Sequence, residues 1–137
     1  MKKTFVLFGL LSLIILGIII FQKKSIGFIP DWNGYRVTRY SLNGLNYKFA
    51  VADNGEKWGR GLMDVTKPLP VDGMIFIFPE SSYRVFWNKN TRLDLDLYWL
   101  QGETVVGRSY LPQIDKSKTV FTVKSPEPVN KVVELIR

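Results

Sequence analysis

The distribution of apolar residues divides the chain into an unbroken apolar segment and a longer region of alternation. Residues 4–21, TFVLFGLLSLIILGIIIF, contain no charged side chain, and every face of a helix built from them would be apolar. Such a helix would be about 27 Å long, close to the thickness of the hydrocarbon layer of a bilayer. The pattern predicts a single N-terminal transmembrane helix within a membrane anchor of residues 1–24.

The residues that flank this segment indicate its processing and orientation. A cleaved signal peptide would end in small residues, and lipoprotein processing would need a cysteine; the stretch QKKSI that follows offers neither. Lys2 and Lys3 on one side nearly balance Lys23 and Lys24 on the other, and the short leading end favours a cytoplasmic N-terminus. We therefore expect a single-pass protein of the cytoplasmic membrane whose soluble domain is extracytoplasmic.

After a stalk at residues 25–34, apolar and polar residues alternate with a period of two, which is typical of β-strands. Asn43-Gly44 lies between two such runs and is a strong hairpin signal, because both turn positions need positive φ. The runs predict strands at residues 34–42, 45–52, 73–78, 83–88, 93–100, 104–110, 119–123 and 131–136.

A short helix interrupts this series of strands. Asp53 or Asn54 can cap it, and we expect it to end by about Met63 after two turns at most. With seven or eight short strands separated by turns, residues 35–137 are predicted to form one mainly β domain. The expected architecture is an antiparallel β-sandwich or small barrel with one short helix.

The net charge of +7 does not indicate a nucleic-acid-binding protein. Of the 19 basic residues, four flank the apolar segment, which leaves 15 basic against 12 acidic residues and a charge of +3 elsewhere. No basic run there exceeds two residues, so the basic patch of a nucleic-acid-binding surface is missing. We expect no nucleic-acid partner, and we expect the lipid bilayer to be the partner of residues 4–21.

The chain contains no cysteine and no histidine. Their absence excludes disulfides, thiol nucleophiles, Cys/His zinc sites and a Ser-His-Asp triad. Any metal would have to be a hard cation bound by carboxylate and carbonyl oxygens. We expect no cofactor and no metal site, and the sequence identifies no catalytic residue.

The stretch VFWNKNTRLDLDL, at residues 85–97, combines aromatic, turn-forming and acidic residues. Alternation places its leucines on one face of a strand and Asp94 and Asp96 on the other. Two interpretations are open: a half-buried strand with its aspartates in solvent, or two carboxylates about 7 Å apart that hold a cation or a sugar. An exposed strand face lacks the apolar pocket that acid catalysis needs, so the first interpretation is favoured.

From about Leu45 to Leu135 the chain resembles the DUF192 family, also called UPF0127, in the order and spacing of its motifs. These are Gly-Leu-Met at residues 61–63, GMIFIF at residues 73–78, FWNKNTRLDLD at residues 86–96 and VVEL at residues 132–135. The resemblance implies a compact, mostly β domain with one short helix, commonly found behind a signal peptide or anchor outside the cytoplasmic membrane of prokaryotes. It implies no established activity.

The sequence departs from the family pattern at several positions. Asn88 stands where the family has Met and Asp94 where it has Pro, so Asp96 corresponds to the family's aspartate. Trp58 and Val65 occupy the positions at which the family carries arginines around Gly-Leu-Met, although Arg60 lies nearby. A pocket built with those arginines would therefore differ in this chain.

These motifs define a candidate site. Our hypothesis is that residues 89–91 form a turn whose hydrogen bonds reach Asp96. Trp87 would then cover a shallow cleft beside Met63 and Met74. The candidate ligand-binding residues are Trp87, Lys89, Asn90, Thr91, Asp96, Met63 and Met74.

Three functions stay open on the sequence. The favoured one is a membrane-tethered, non-catalytic binding module for a glycan of the cell envelope or another protein. The alternative is a structural or assembly partner of a membrane complex. A hydrolase that uses Asp96 or Glu134 with a metal is the least favoured, because a chain without histidine or cysteine has few routes to catalysis.

Overall fold

The computed structural model describes residues 31–67 and 69–137, which form eight strands and two short helices. In chain order they are β1 (Val37–Leu42), β2 (Leu45–Ala52), α1 (Gly55–Arg60), β3 (Gly73–Ser82), β4 (Val85–Trp87), β5 (Leu95–Gln101), β6 (Thr104–Leu111), α2 (Ile114–Ser117), β7 (Thr122–Lys124) and β8 (Val129–Ile136). The predicted mainly β fold with a short helix is confirmed, and α2 is a second helix that the sequence pattern did not predict.

Local signals position β1, β2 and α1. The β1–β2 hairpin turns at Asn43 and Gly44, whose φ angles are 51° and 79°, as a tight hairpin requires. Helix α1 begins where the side chain of Asn54 accepts a hydrogen bond of 3.1 Å from the Lys57 N–H. Both the predicted hairpin and the predicted helix cap are therefore present.

Six strands form one mixed sheet in the order β1-β2-β3-β8-β5-β6, and β4 and β7 form a separate antiparallel ribbon. The predicted antiparallel sandwich or small barrel is corrected in two respects. β2 and β3 pair in parallel, because the chain crosses over through α1 between them. In the described part of the chain, β1 and β6 are edge strands and the second sheet has two strands, so neither a closed barrel nor two full sheets is formed.

Both faces of the six-stranded sheet carry buried apolar side chains. The main core lies on one face and contains Leu93, Leu95, Leu97 and Trp99, which confirms that these alternating residues share a face. The other face carries a smaller apolar cluster that includes Tyr98 and Leu100 of β5. The expectation that the second face of this strand is in solvent is wrong, because Asp96, Tyr98 and Leu100 on that face are all buried.

Strand β3 extends further than the sequence predicted. GMIFIF was expected to end at Pro79, whereas β3 continues to Ser82. A shift of register between Ile77 and Ser82 in its pairing with β8 accommodates the proline, which has no N–H to donate.

The predicted anchor at residues 1–24 lies outside the described residues, as does most of the predicted stalk at residues 25–34. No helix in the described ranges is both long enough and apolar enough to cross a bilayer.

Candidate functional site

A cleft of about 450 Å³ opens on the main-core face of the sheet. One wall is formed by the end of α1 and the loop that follows it, and the opposite wall by residues 83–87. Thr91, Glu134 of β8 and two aromatic residues of β3 complete the lining. The volume lies within the range of about 300–1,000 Å³ that is typical of small-molecule sites.

Aromatic side chains pack against one another along the cleft and hold its walls in place. The rings of Trp58 and Phe78 lie 5.0 Å apart, and those of Phe76 and Phe86 meet edge to face at 4.9 Å. Phe86 also packs edge to face against the buried Trp99 at 5.6 Å. The indole N–H of Trp58 donates a hydrogen bond of 3.0 Å to the Ala52 carbonyl, so this ring has a fixed orientation.

Glu134 places a carboxyl group in the cleft from the middle of the sheet. Its neighbours across the strands are Met74 and Leu97, which are fully buried in the main core. Glu134 itself is 4 % exposed, and its Oε2 has no hydrogen-bond partner within the described chain. Burial raises the pKa of Glu134 to about 8, because an ionised carboxylate is poorly solvated there.

The floor of the cleft depends on a close approach between β3 and β8. A Cβ on Gly73 would lie 1.9 Å from the carbonyl oxygen of Glu134, a distance that no side chain can occupy. Glycine at this position therefore lets β8 pair closely with β3 where Glu134 enters the cleft.

Two arginines supply positive charge at the cleft. The guanidinium of Arg84 stacks 3.8 Å from the centroid of Phe78, and its Nη2 donates a hydrogen bond of 2.9 Å to the Glu80 carbonyl. Its buried Nε has no acceptor among the described residues. Arg60 lines the other wall, is exposed and forms no salt bridge within the described ranges.

Asn88 follows β4 directly, is fully buried and joins this part of the chain to the segment around α2. Its Nδ2 donates to the Pro112 carbonyl and to Ser117 Oγ, both at 2.7 Å, and its Oδ1 accepts from the Phe121 N–H at 2.7 Å. The predicted turn at residues 89–91 is present, with Asn90 at a φ of 52°. The hypothesis that the hydrogen bonds of this turn reach Asp96 is wrong, because Thr91 donates them within the turn: its N–H to the Asn88 carbonyl at 3.0 Å and its Oγ1 to the Lys89 carbonyl at 3.2 Å.

Asp94 and Asp96 form salt bridges with different basic side chains of the domain. Asp96 Oδ2 pairs with Arg108 at 2.8 Å and with Arg137 at 3.0 Å. Asp94 pairs with Lys116 and accepts further hydrogen bonds from the Tyr110 hydroxyl and from Gln113. Each carboxylate is thus already engaged by other side chains of the domain.

The predicted candidate residues do not all meet at the cleft. Trp87, Thr91 and Met63 line it. Lys89 and Asn90 are exposed beside it but outside the lining, with the Lys89 ammonium 5.2 Å from the Trp87 ring. Met74 is a fully buried core residue beneath it. Asp96 lies opposite Leu135 on the far face of the sheet.

Sequence reasoning did not single out Trp58 and Arg84 as candidate ligand-binding residues, and it named Glu134 only for a metal-dependent hydrolase. Asp96 and Glu134 project from opposite faces of the sheet, since Asp96 pairs with Leu135 while Glu134 pairs with Leu97. They cannot converge on one metal ion. Across the described residues, no group of three acidic side chains is placed to hold a metal. The sequence did carry a signal for two of these cleft residues. For Glu134 it was the VVEL motif, and for Trp58 it was the departure from the family's arginine at residue 58.

The fold and the cleft define a mainly β domain with a ligand-sized opening beside its crossover helix. The model of the DUF192 family, described as "Uncharacterized ACR", matches residues 38–137, and the chain belongs to this family. The resemblance inferred from the motifs is therefore confirmed.

Two solved structures are similar over most of the chain. A protein from Sinorhizobium meliloti 1021 described as a "putative transcription regulator" has a TM-score of 0.59 and 26% identity, over 80% of this chain and 84% of that one. A protein of unknown function from Novosphingobium aromaticivorans DSM 12444 has a TM-score of 0.56 and 18% identity, over 80% of this chain and 87% of its own. No curated protein gives a significant match.

Proposed function

We propose that this domain is a non-catalytic module that binds a small molecule in the cleft between α1 and β4. The observation that carries the proposal is Glu134, a buried carboxyl whose Oε2 lacks a partner and which faces an aromatic-walled opening. Buried polar groups are normally hydrogen-bonded, so an unpartnered one in a cleft is a natural contact for a ligand. Aromatic walls add apolar area and stacking faces for its rings or alkyl groups.

The composition of the lining favours binding over catalysis. Glu134 is its single carboxyl group within the described residues, and the other charged side chains there are Arg60 and Arg84. Hydrolysis of a glycoside by the common routes needs two carboxyl groups that flank the scissile bond. A single carboxyl with aromatic walls is sufficient to orient a ligand.

We place this binding function at the outer surface of the cytoplasmic membrane. The support is the uncharged apolar segment at residues 4–21 and the lysines on either side of it. A ligand from the cell envelope, such as a sugar unit of a glycan or a group on a protein, would reach a domain in that position. If the full chain stays in the membrane fraction after alkaline carbonate washing, the result supports this location. Release of the chain into the wash would contradict it.

Docking on a membrane complex is a second candidate, which the surface of the β4–β7 ribbon favours. Five large apolar side chains near this ribbon are each at least 45 % exposed: Tyr83, Val85, Trp87, Val120 and Phe121. So many exposed apolar side chains near one ribbon are unusual. Replacing Val120, which is 51 % exposed and lies outside the cleft lining, by Asp would disrupt such a contact and leave the cleft unchanged. Unchanged co-purification with membrane partners in this variant would argue against it.

The cleft itself can be tested by blocking it. Gly59 lines the cleft and has no atom within 4 Å of a Cβ position, so the side chain of Gly59→Phe can leave the backbone without a clash at its Cβ. Gly55 on the same helix also has free space but lies outside the lining, which makes Gly55→Phe the matched control. We expect one- and two-ring fragments to shift the indole N–H signals of Trp58 and Trp87 in the wild type and in Gly55→Phe. Shifts that persist unchanged in Gly59→Phe would contradict the proposed site.

A further inference from the structure

Resting on the proposed binding role, we infer that the cleft takes a ligand that carries a protonated amine, with Glu134 as the partner of its ammonium group. The chemical class is an organic cation with an aromatic or aliphatic body, and the inference follows from what surrounds the carboxyl group.

Glu134 has no counter-ion within the described part of the protein. Met74 and Leu97, which flank it on β3 and β5, are apolar and fully buried. The charged groups of the cleft walls are Arg60 and Arg84, and neither forms a salt bridge with Glu134. Arg84 is instead engaged by Glu80 and by the face of Phe78. The carboxyl therefore has free acceptor capacity that a ligand N–H can use.

The aromatic walls suit a cation. A positive charge is attracted to the face of an aromatic ring when it lies within about 6 Å of the centroid. The domain already uses two of these rings in this way: the Arg84 guanidinium lies over Phe78 at 3.8 Å, and the Lys89 ammonium over Trp87 at 5.2 Å. Phe76 and Phe86 bring two more rings to the cleft. A carboxyl surrounded by rings is the usual chemistry of an ammonium site.

Binding of an ammonium group would be linked to loss of a proton from Glu134. Because burial raises the pKa of Glu134 to about 8, much of the carboxyl is protonated near neutral pH. The ionised form is the better acceptor for an ammonium group, so the affinity for an amine should increase as the pH rises from about 6 toward about 8. A neutral ligand of the same shape should not show this increase.

The test compares three probes that share one body: phenethylamine, 2-phenylethanol and phenylacetate. The full chain, labelled with ¹⁵N-tryptophan in a nonionic detergent, is titrated with each probe while the indole signals of Trp58 and Trp87 are followed. At about pH 8, where a large share of Glu134 is ionised, we expect phenethylamine to bind about tenfold more tightly than 2-phenylethanol, as a charge-assisted hydrogen bond implies, and phenylacetate to bind most weakly. In Glu134→Gln the amine should lose this advantage, whereas Glu127→Gln, at an exposed glutamate outside the lining, should keep it.

The results of this titration distinguish the preference for an amine from the binding of any ligand in the cleft. If 2-phenylethanol or phenylacetate binds as tightly as phenethylamine, or if Glu134→Gln keeps the preference for the amine, the inference is overturned while the cleft stays a binding site. If none of the three probes shifts either indole signal, both are overturned.

Discussion

The carbonyl oxygen of Glu134 occupies the space that a side chain on Gly73 would need, since a Cβ there would lie 1.9 Å from it. The contact joins the start of β3 to the residue that enters the cleft from β8. The GMIFIF and VVEL motifs, which are far apart in sequence, therefore meet at one point of the sheet.

Replacing Gly73 by Ala should destabilise the domain. The added methyl group would force β8 away from β3, and overpacking of this kind costs about 1–3 kcal/mol. Thermal unfolding followed by circular dichroism would measure the effect. Gly59→Ala is the control, because a Cβ there meets nothing within 4 Å and alanine favours the helix, so that variant should unfold at the same or a higher temperature.

Replacing Glu134 by Gln should remove a pH dependence of stability. The pKa of this group is raised in the folded state from 4.5 to about 8, so the folded protein binds the proton more tightly than the unfolded chain. Stability contributed by the protonated carboxyl is therefore present below about pH 4.5 and lost as the pH rises toward about 8, by at most about 1.4 kcal/mol per pH unit. Urea denaturation at several pH values should show this loss in the wild type and a flatter profile in Glu134→Gln. Equal slopes in the two proteins would contradict the raised pKa.

Asp94 should have the opposite pH dependence. Burial opposes ionisation, but hydrogen bonds from Lys116, Tyr110 and Gln113 outweigh it and lower the pKa of Asp94 below its ordinary value of 3.8. Its contribution is present above about pH 4 and lost as the pH falls through the folded pKa. Because Lys116 is largely in solvent, we expect Asp94→Asn to cost only about 1 kcal/mol at neutral pH. The difference from the wild type should vanish in strong acid, and a constant difference down to that pH would contradict this assignment.

Replacing Asn88 by Ala should loosen the segment that contains α2. The change leaves the Phe121 N–H, the Pro112 carbonyl and Ser117 Oγ without their partner, and leaving such groups unpaired costs about 3 kcal/mol. Hydrogen exchange of the Phe121 amide should accelerate. Asn46→Ala, at an exposed position of β2, is the control and should leave that exchange unchanged.

The parts of the fold that the sequence predicted are those determined locally. The β1–β2 hairpin follows from two residues, Asn43 and Gly44, that tolerate positive φ, and the start of α1 follows from the side chain of Asn54. The shared face of Leu95 and Leu97 follows from strand geometry alone. None of these features depends on which strands become neighbours.

The parallel pairing of β2 with β3 and the composition of the cleft could not be predicted in this way. The cleft brings Trp58, Arg84 and Glu134 together from three separate elements, and no spacing in the sequence encodes that proximity. The burial of Asp96 was missed for the same reason, because alternation shows that its face is polar but not that β8 and β6 flank it.

Asn88 and Asp94, where the chain departs from the DUF192 motif, have a common structural explanation. Their positions in the sequence alone did not reveal it. Asn88 bonds to Pro112 and Ser117, while Asp94 bonds to Gln113 and Lys116. Both therefore fasten the same surface segment around α2 to the body of the domain.

The crossover between β2 and β3 gives this scaffold an evolutionary freedom. One wall of the cleft is the connecting segment itself, whereas the strands on either side of it are fixed by pairing and burial. A replacement in that connection, such as the tryptophan at residue 58 where the family pattern has an arginine, changes the chemical groups along the cleft wall without breaking the hydrogen bonds between the strands. The side chains of this connecting segment can therefore change while the paired strands keep the fold.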